Sequence, residues 1–206
     1  MKRVLSIDIV RGLVMIIMAL DHTRDLIHVT SLTQVPTDLL TTTPALFFTR
    51  LVTHVCAPTF VFLSGVSAYI SLKNRSSLQD SRRFLITRGI WLFIVEFTLV
   101  NFGIWFDIHF AVFLFDVIAA IGFGFIITGL LLKVSARTIG IIGLAIIFLH
   151  NLVPLAPPAG ASLFSRILMA LFSPGAFPFG NGRIFVIGYP PIPGVGLMLT
   201  GFAAGK

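Results

Sequence analysis

Apolar stretches separated by short polar segments run along the whole chain. Six of them are long and apolar enough to cross a membrane as helices, which need about 20 residues. They cover residues 4–28, 51–72, 84–106, 110–132, 138–155 and 184–204. Within the longest connection, the pattern at 161–172 predicts an amphipathic helix at the membrane surface. The chain is therefore predicted to be an all-α integral membrane protein of about six transmembrane helices, with one domain over residues 1–206.

Composition agrees with this pattern. Of the 206 residues, 56% are hydrophobic and 11% are charged, whereas soluble domains carry about 25% charged residues. The net charge of +7 does not indicate a nucleic-acid partner, because the basic residues flank the apolar stretches; membrane lipid is the expected partner. The single cysteine, Cys56, excludes an internal disulfide, and no spacing of ligands predicts a metal site.

The basic residues also predict an orientation. With the N-terminus inside, the cytoplasmic side receives eleven of the 15 basic residues: Lys2, Arg3, Arg11, Lys73, Arg75, Arg82, Arg83, Arg88, Lys133, Arg137 and Lys206. The opposite side receives Arg24, Arg50, Arg166 and Arg183. This positive-inside bias predicts that both termini are cytoplasmic, in a multi-pass protein of the cell inner membrane.

In that topology the histidines share one side. All five lie at the outer ends of spans or in outer loops: His22, His28, His54, His109 and His150. Asp21, Asp25, Asp38, Asp107 and Asn151 fall on the same side. The pattern predicts a polar chamber at the outer face.

The first stretch has the most unusual pattern. Only nine apolar residues, 12–20, separate two groups of charge, and nine helical residues cover about 13 Å of a hydrocarbon core of about 30 Å. Ionisable groups at membrane depth are costly and are usually functional. On one helix the ionisable side chains fall within an arc of about 160°: Asp8, Arg11, Asp21, His22, Asp25 and His28. The structural alternative is an Asp8–Arg11 ion pair at one end and capping groups at the other.

Two sets of residues in these stretches suit proton chemistry. His28 with Asp21 or Asp25 would form a general base held by a carboxylate. Glu96 and Asp116 are single acids inside later spans, and each is either hydrogen-bonded to another helix or part of a proton path.

Several stretches resemble the transmembrane acyltransferases related to heparan-α-glucosaminide N-acetyltransferase, most closely their bacterial relatives. They are SIDIVRGLVM at 6–15, ALDH at 19–22, TPALFFTR at 43–50, HVCAPTFVFLSG at 54–65, TRGIWL at 87–92 and YPPIP at 189–193. The resemblance covers essentially the whole chain. Family members usually continue with further spans, so the chain is expected to be the N-terminal part of the family fold, truncated or completed by a second copy in a homo-oligomer.

The resemblance implies transfer of an acyl group, typically acetyl, from cytosolic acetyl-CoA to an amine or hydroxyl of a sugar-like acceptor at the outer face. It implies His28 as the catalytic histidine, with His22 as the alternative and Asp21 and Asp25 beside it. Arg11, with Asp8, is the predicted CoA-binding pair, and Arg50 and His54 are the predicted acceptor-binding residues. The competing interpretation is a transporter whose charged pathway contains Asp8, Arg11, Glu96 and Asp116.

Overall fold

A computed structural model of the chain describes residues 4–27, 38, 40, 42–153, 163–180 and 182–206. These parts are mostly helical, as the apolar stretches predict. The helices are α1 (Leu5–Ile27), α2 (Pro44–Thr53), α3 (Cys56–Lys73), α4 (Leu78–Val95), α5 (Asn101–Trp105), α6 (Val117–Leu131), α7 (Ala136–Leu149), α8 (Leu163–Phe172) and α9 (Pro191–Ala204). A π-helical segment, Glu96–Val100, joins α4 to α5, and a 3-10 turn, His150–Leu152, follows α7.

A small sheet is the part of the fold that the sequence pattern did not predict. Its strands are β1 (Val112–Phe115), β2 (Gly175–Phe179) and β3 (Arg183–Ile187), in the order β1-β3-β2. β1 pairs with β3 in parallel, and β2 pairs with β3 in antiparallel fashion. The stretches 110–132 and 184–204 therefore begin as strands and not as transmembrane helices. Most of their first residues are aromatic or β-branched, which favours strands, but a short apolar run does not distinguish strand from helix.

Two helical rods are long and apolar enough to cross a membrane, among the residues that the structure describes. They are Pro44–Lys73, of 30 residues, and Leu78–Trp105, of 28 residues. The other apolar helices, α6, α7 and α9, are shorter. Six transmembrane crossings therefore remain a prediction, as does the membrane-surface position of α8, although α8 is helical within the predicted range.

The chain divides into two compact units, Met1–Leu63 (unit 1) and Ser64–Lys206 (unit 2). In unit 1, α1 packs against α2. Helix α2 begins with Thr43 as its N-cap, whose side chain accepts the Leu46 N–H at 3.4 Å, and Pro44 occupies its first turn. The helix is interrupted at His54 and Val55 because Pro58, four residues after His54, has no N–H to donate to the His54 carbonyl.

The helices of unit 2 approach one another closely at glycines. A Cβ on Gly65 would lie 2.1 Å from the Met198 carbonyl oxygen of α9. Gly89 of α4 and Gly122 of α6 face each other, since a Cβ on either would lie within 3.0 Å of the other's carbonyl oxygen, at 2.5 and 2.8 Å. Small residues allow such backbone contacts in membrane helices. Gly65 therefore allows α3 to approach α9 closely.

The basic residues of unit 2 concentrate at one of its two ends. α6 and α9 each follow a strand of the same parallel pair, so both helices begin at the sheet end. His109 and Arg183 lie at this sheet end. The opposite end, where α4 begins and α9 finishes, carries Lys73, Arg75, Arg82, Arg83, Lys133, Arg137 and Lys206. Most basic residues of unit 2 therefore lie at one end, as the topology prediction requires. Which side of a membrane that end faces stays a prediction.

Candidate functional site

Two arginines and a threonine of unit 1 converge on the carboxylate of Asp21. Arg24, one turn further along α1, donates from Nη2 to Asp21 Oδ1. Arg50 of α2 donates from Nη1 to Oδ1 at 3.2 Å and to Oδ2 at 3.1 Å. Thr53, one turn after Arg50, donates its hydroxyl to Oδ1 at 2.6 Å. We call these four residues the Asp21 network.

The Asp21 network is largely withdrawn from solvent and carries net positive charge. The side chains of Asp21 and Arg24 are 16% and 8% exposed, and that of Arg50 is 34% exposed; Thr53 is buried. Two guanidinium groups and one carboxylate leave an excess of one positive charge. Hydrogen bonds between charged groups are stronger than neutral ones, so the network fixes α1 against α2.

The structure does not bring all the predicted site residues into this network. His22 and His54 are exposed, although each adjoins a member of the network along the chain. Asp8 is exposed, and Arg11 is partly buried with its Nη2 3.4 Å from the Leu63 carbonyl oxygen. His28 and the side chain of Asp25 lie outside the described residues, so their roles stay predictions.

A second polar cluster lies in unit 2, where α6 begins. Glu96 is fully buried in the π-helical segment and accepts the backbone N–H of Asp116 at 3.0 Å through Oε1. Asp116 is the N-cap residue of α6, so Glu96 acts as a side-chain cap for that helix. A carboxylate at this position is favoured by the partial positive charge of the helix N-terminus. Glu96 and Asp116, predicted as separate single acids, are therefore neighbours.

Asn101 connects the same cluster to the sheet, a role that the sequence analysis missed. Its Nδ2 donates to the Val112 carbonyl at 2.9 Å, and its Oδ1 accepts the Leu114 N–H at 3.0 Å. The buried Asn101 side chain thus replaces a strand neighbour along β1. The sequence signal that could have found this role is a polar amide, Asn101, five residues after the acid Glu96 inside an apolar stretch. The partners of Asn101 depend on the π-helical segment between the two residues, which no sequence pattern indicates.

The YPPIP stretch belongs to this second cluster as well. Gly188 precedes it, and a Cβ there would lie 3.0 Å from Asp116 Oδ1. The Tyr189 ring packs beside Gly194 of α9. The stretch therefore links the start of α9 with the start of α6. Its role in the structure is to join the sheet to two helices.

Comparison with known proteins identifies the family. The family model described as heparan-alpha-glucosaminide N-acetyltransferase, catalytic, matches residues 3–206. The chain belongs to this family. No curated protein and no solved structure matches the chain. Membership in the heparan-alpha-glucosaminide N-acetyltransferase family confirms the resemblance drawn from the motifs and implies a transferase.

Proposed function

We propose that this protein is a membrane-embedded acyltransferase that moves an acetyl group from cytosolic acetyl-CoA to an amine or hydroxyl of a sugar-like acceptor at the outer face. The observation that carries the proposal is the Asp21 network. It joins two separate family-like stretches, 19–22 on α1 and 43–50 on α2, through the side chains of Asp21 and Arg50. Thr53, which completes it, directly precedes the third stretch at 54–65.

The reaction needs one base and one place for developing negative charge. The acceptor nitrogen or oxygen attacks the thioester carbonyl carbon, and the base takes the proton that the acceptor loses. The C–S bond then breaks, and the CoA thiolate leaves and receives that proton. A histidine suits both transfers, because a neutral imidazole accepts a proton near neutral pH and returns it. His28 has this role in our proposal, with His22 as the alternative.

Asp21 has a positioning role in this proposal. Among the described donors, its Oδ1 accepts from three groups and its Oδ2 from Arg50 alone. Each carboxylate oxygen offers about two lone-pair positions, so Oδ2, which accepts from Arg50 among the described donors, has room for a histidine N–H. Asp25, three residues before His28, is the other carboxylate proposed to orient the base.

The two substrates need different groups. Acetyl-CoA carries phosphates, and Arg11 on α1 supplies a cation for them; Asp8, one turn earlier, belongs to the same proposed subsite. Arg50 and His54 are proposed to bind the acceptor. The guanidinium group of Arg50 would also suit the oxyanion that forms when the thioester carbonyl is attacked.

The test is acetyl transfer from labelled acetyl-CoA in membranes containing this chain. Amino sugars and a native glycan extract serve as acceptors, and an empty-vector membrane gives the background. Because a general base contributes about 100-fold or more, His28→Ala is expected to lower the rate by at least that factor. His109→Ala is the matched control, since His109 lies in an exposed loop of unit 2.

Each result has a defined meaning. Loss of transfer in His28→Ala but not in His109→Ala supports the assignment. Full activity in His28→Ala contradicts it, and His22→Ala and His54→Ala then locate the base. Absence of transfer in the wild-type chain, together with no binding of acetyl-CoA, contradicts the acyltransferase proposal itself.

One observation favours the transporter as a second candidate. Glu96 Oε2 is buried and lacks a hydrogen-bond partner among the described residues, and the neighbouring Asp116 is also acidic. Such a pair suits a proton path. Glu96→Gln separates the two candidates, because glutamine keeps the acceptor for the Asp116 N–H and cannot carry the proton. If the protein is the acyltransferase and Glu96 only caps α6, acetyl transfer is expected to be unchanged in this variant. If the protein is a transporter, the variant is expected to lose proton-coupled substrate uptake.

A further inference from the structure

Two arginines of unit 2 lie over the same aromatic ring. The guanidinium carbon of Arg75 is 3.6 Å from the centroid of the Phe84 ring, and that of Arg88 is 5.2 Å from it. Phe84 packs against the buried core of unit 2. The ring is therefore a fixed support, and it holds two like charges near each other. Cation–ring attraction stabilises each arginine separately, and two guanidinium groups gathered at one ring together attract an anion.

Arg75 is held in place by a short turn between α3 and α4. Its backbone N–H donates to the Leu72 carbonyl at 3.2 Å, and the Asn74 side chain donates to the Ile70 carbonyl at 3.0 Å. The Arg75 side chain is partly buried, and its Nε lacks an acceptor among the described residues. A guanidinium that is oriented by its surroundings loses less entropy when it binds an anion.

The surroundings add positive charge. Asp80 is the acid that lies beside Arg75 and Arg83, and its Oδ2 already accepts the hydroxyls of Ser76 and Ser77, at 3.2 and 2.7 Å. The basic residues at the same end of unit 2 are Lys73, Arg82, Arg83, Lys133, Arg137 and Lys206. One carboxylate does not neutralise this group, so the end attracts anions.

An exposed apolar strip continues from the two arginines along α4. Trp91 follows Arg88 by three residues and therefore lies on the same side of the helix. Trp91 is 62% exposed, and Ile94, one turn further, is 48% exposed. This helix belongs to the membrane-length rod Leu78–Trp105. A ligand with an anionic head and an apolar tail matches the order of groups along α4.

We propose that Arg75 and Arg88, gathered on the ring of Phe84, bind the phosphate of an anionic phospholipid, whose acyl chain lies against Trp91 and Ile94. Phosphate matches paired guanidinium groups in charge and hydrogen-bonding geometry. Arginines next to a membrane-spanning helix attract anionic headgroups. A soluble phosphate compound would use the two arginines but gain nothing from the apolar strip, which is why the lipid is favoured.

The test compares lipid binding by the full chain purified in detergent. Native mass spectrometry measures retention of phosphatidylglycerol against phosphatidylcholine at equal concentration. The wild-type chain is expected to favour phosphatidylglycerol about tenfold, and Arg75→Gln with Arg88→Gln to lower that preference at least about fivefold. Arg82→Gln with Arg83→Gln is the matched control, because it removes the same charge from exposed positions near the start of α4, and it is expected to stay within about twofold of wild type.

A third variant tests the ring itself. Phe84→Leu keeps both charges and removes the shared aromatic support, so the preference is expected to fall about threefold or more. Circular dichroism establishes that each variant is folded, and where the double variant is not, Arg88→Gln alone decides, since Arg88 is exposed.

Three results would overturn the proposal. The first is an equal loss in the Arg82/Arg83 control, which would indicate general attraction to the basic end. The second is unchanged lipid preference in Phe84→Leu. The third is displacement of phosphatidylglycerol by millimolar inorganic phosphate, which would identify a soluble phosphate compound as the ligand.

Discussion

Unit 1 joins its first two helices through charged side chains, whereas unit 2 joins its helices at glycines. In unit 1 the contact between α1 and α2 centres on Asp21, Arg24, Arg50 and Thr53. In unit 2 the absence of a side chain lets backbones touch, as at Gly65 and Met198. A contact made by ionised groups is directional and available for chemistry, while a contact between backbones is inert and rigid. In the proposed function, unit 1 accordingly holds the chemistry and unit 2 provides the support.

The largest effect is expected from filling a backbone contact of unit 2. In Gly65→Ala the new Cβ would lie 2.1 Å from the Met198 carbonyl oxygen, so α3 or α9 must shift. We expect the free energy of unfolding to fall by about 3 kcal/mol, at the upper part of the range for overpacking. Thermal unfolding in detergent, followed by circular dichroism, measures it. Gly103→Ala is the control, because a Cβ there meets no atom within 4 Å; equal melting of the two variants would contradict the packing role.

The second-largest loss of stability is expected from removing the charge of Asp21. Asp21→Asn leaves Arg24 and Arg50 facing each other without the carboxylate, and we expect about 2 kcal/mol of lost stability between α1 and α2. Hydrogen exchange should rise in these two helices and stay unchanged in unit 2. Asp8→Asn is the matched control, since Asp8 is exposed. Faster exchange throughout the chain would show that the Asp21 network stabilises unit 2 as well as the contact between α1 and α2.

Removing the Thr53 hydroxyl from the Asp21 network is expected to lower the stability by a smaller amount. Thr53→Val removes the 2.6 Å hydrogen bond to Asp21 Oδ1, and we expect a loss of about 1 kcal/mol. Thr49→Val is the comparison, because the Thr49 hydroxyl donates only to the Leu46 carbonyl on its own helix, at 2.8 Å, among the described contacts. Exchange rates in α2 distinguish the two variants. Equal exchange rates in the two variants would show that the hydrogen bond from Thr53 to Asp21 does not stabilise α2.

The smallest effect concerns the exposed loop of unit 2. Asp107 accepts the backbone N–H groups of Ala111 and His109, each at 2.8 Å, and these bonds lower the pKa of its carboxyl from the ordinary 3.8. Because the folded pKa is lowered, the stabilising contribution is present above pH 3.8 and is lost as the pH falls through the folded value. Amide exchange of this loop, corrected for the intrinsic rate, should therefore rise in acid. Asp107→Asn should remove the pH dependence; if it persists, another group is responsible.

The helices were largely predictable because long apolar runs leave little choice in a membrane. The range 4–28 closely matches α1, and 84–106 lies within the rod Leu78–Trp105. The strands were not predictable. Val112–Phe115 and Arg183–Ile187 are far apart in the chain, and each becomes a strand because the other pairs with it. Local composition carries no information about such a partner.

The candidate site divides in the same way. The sequence placed Asp21 and Arg50 among the functional candidates because charge at membrane depth is costly, and the structure brings these two side chains together. It gave no sign that Arg24 and Thr53 share the same carboxylate, which depends on how α1 packs against α2. Glu96 and Asp116 were noted as isolated acids, and only the π-helical segment makes Glu96 a cap for α6.

By itself, the sequence predicted a membrane protein, identified the family and supplied the residue types for the proposed acyl transfer, since hydrophobicity and short motifs are local properties. The tertiary structure decided which of those residues meet. Arg50 reaches Asp21 across 29 positions, and β1 pairs with β3 across a still longer separation. Contacts of this kind depend on the packing of whole helices, which is a sum over many weak interactions that no single segment encodes.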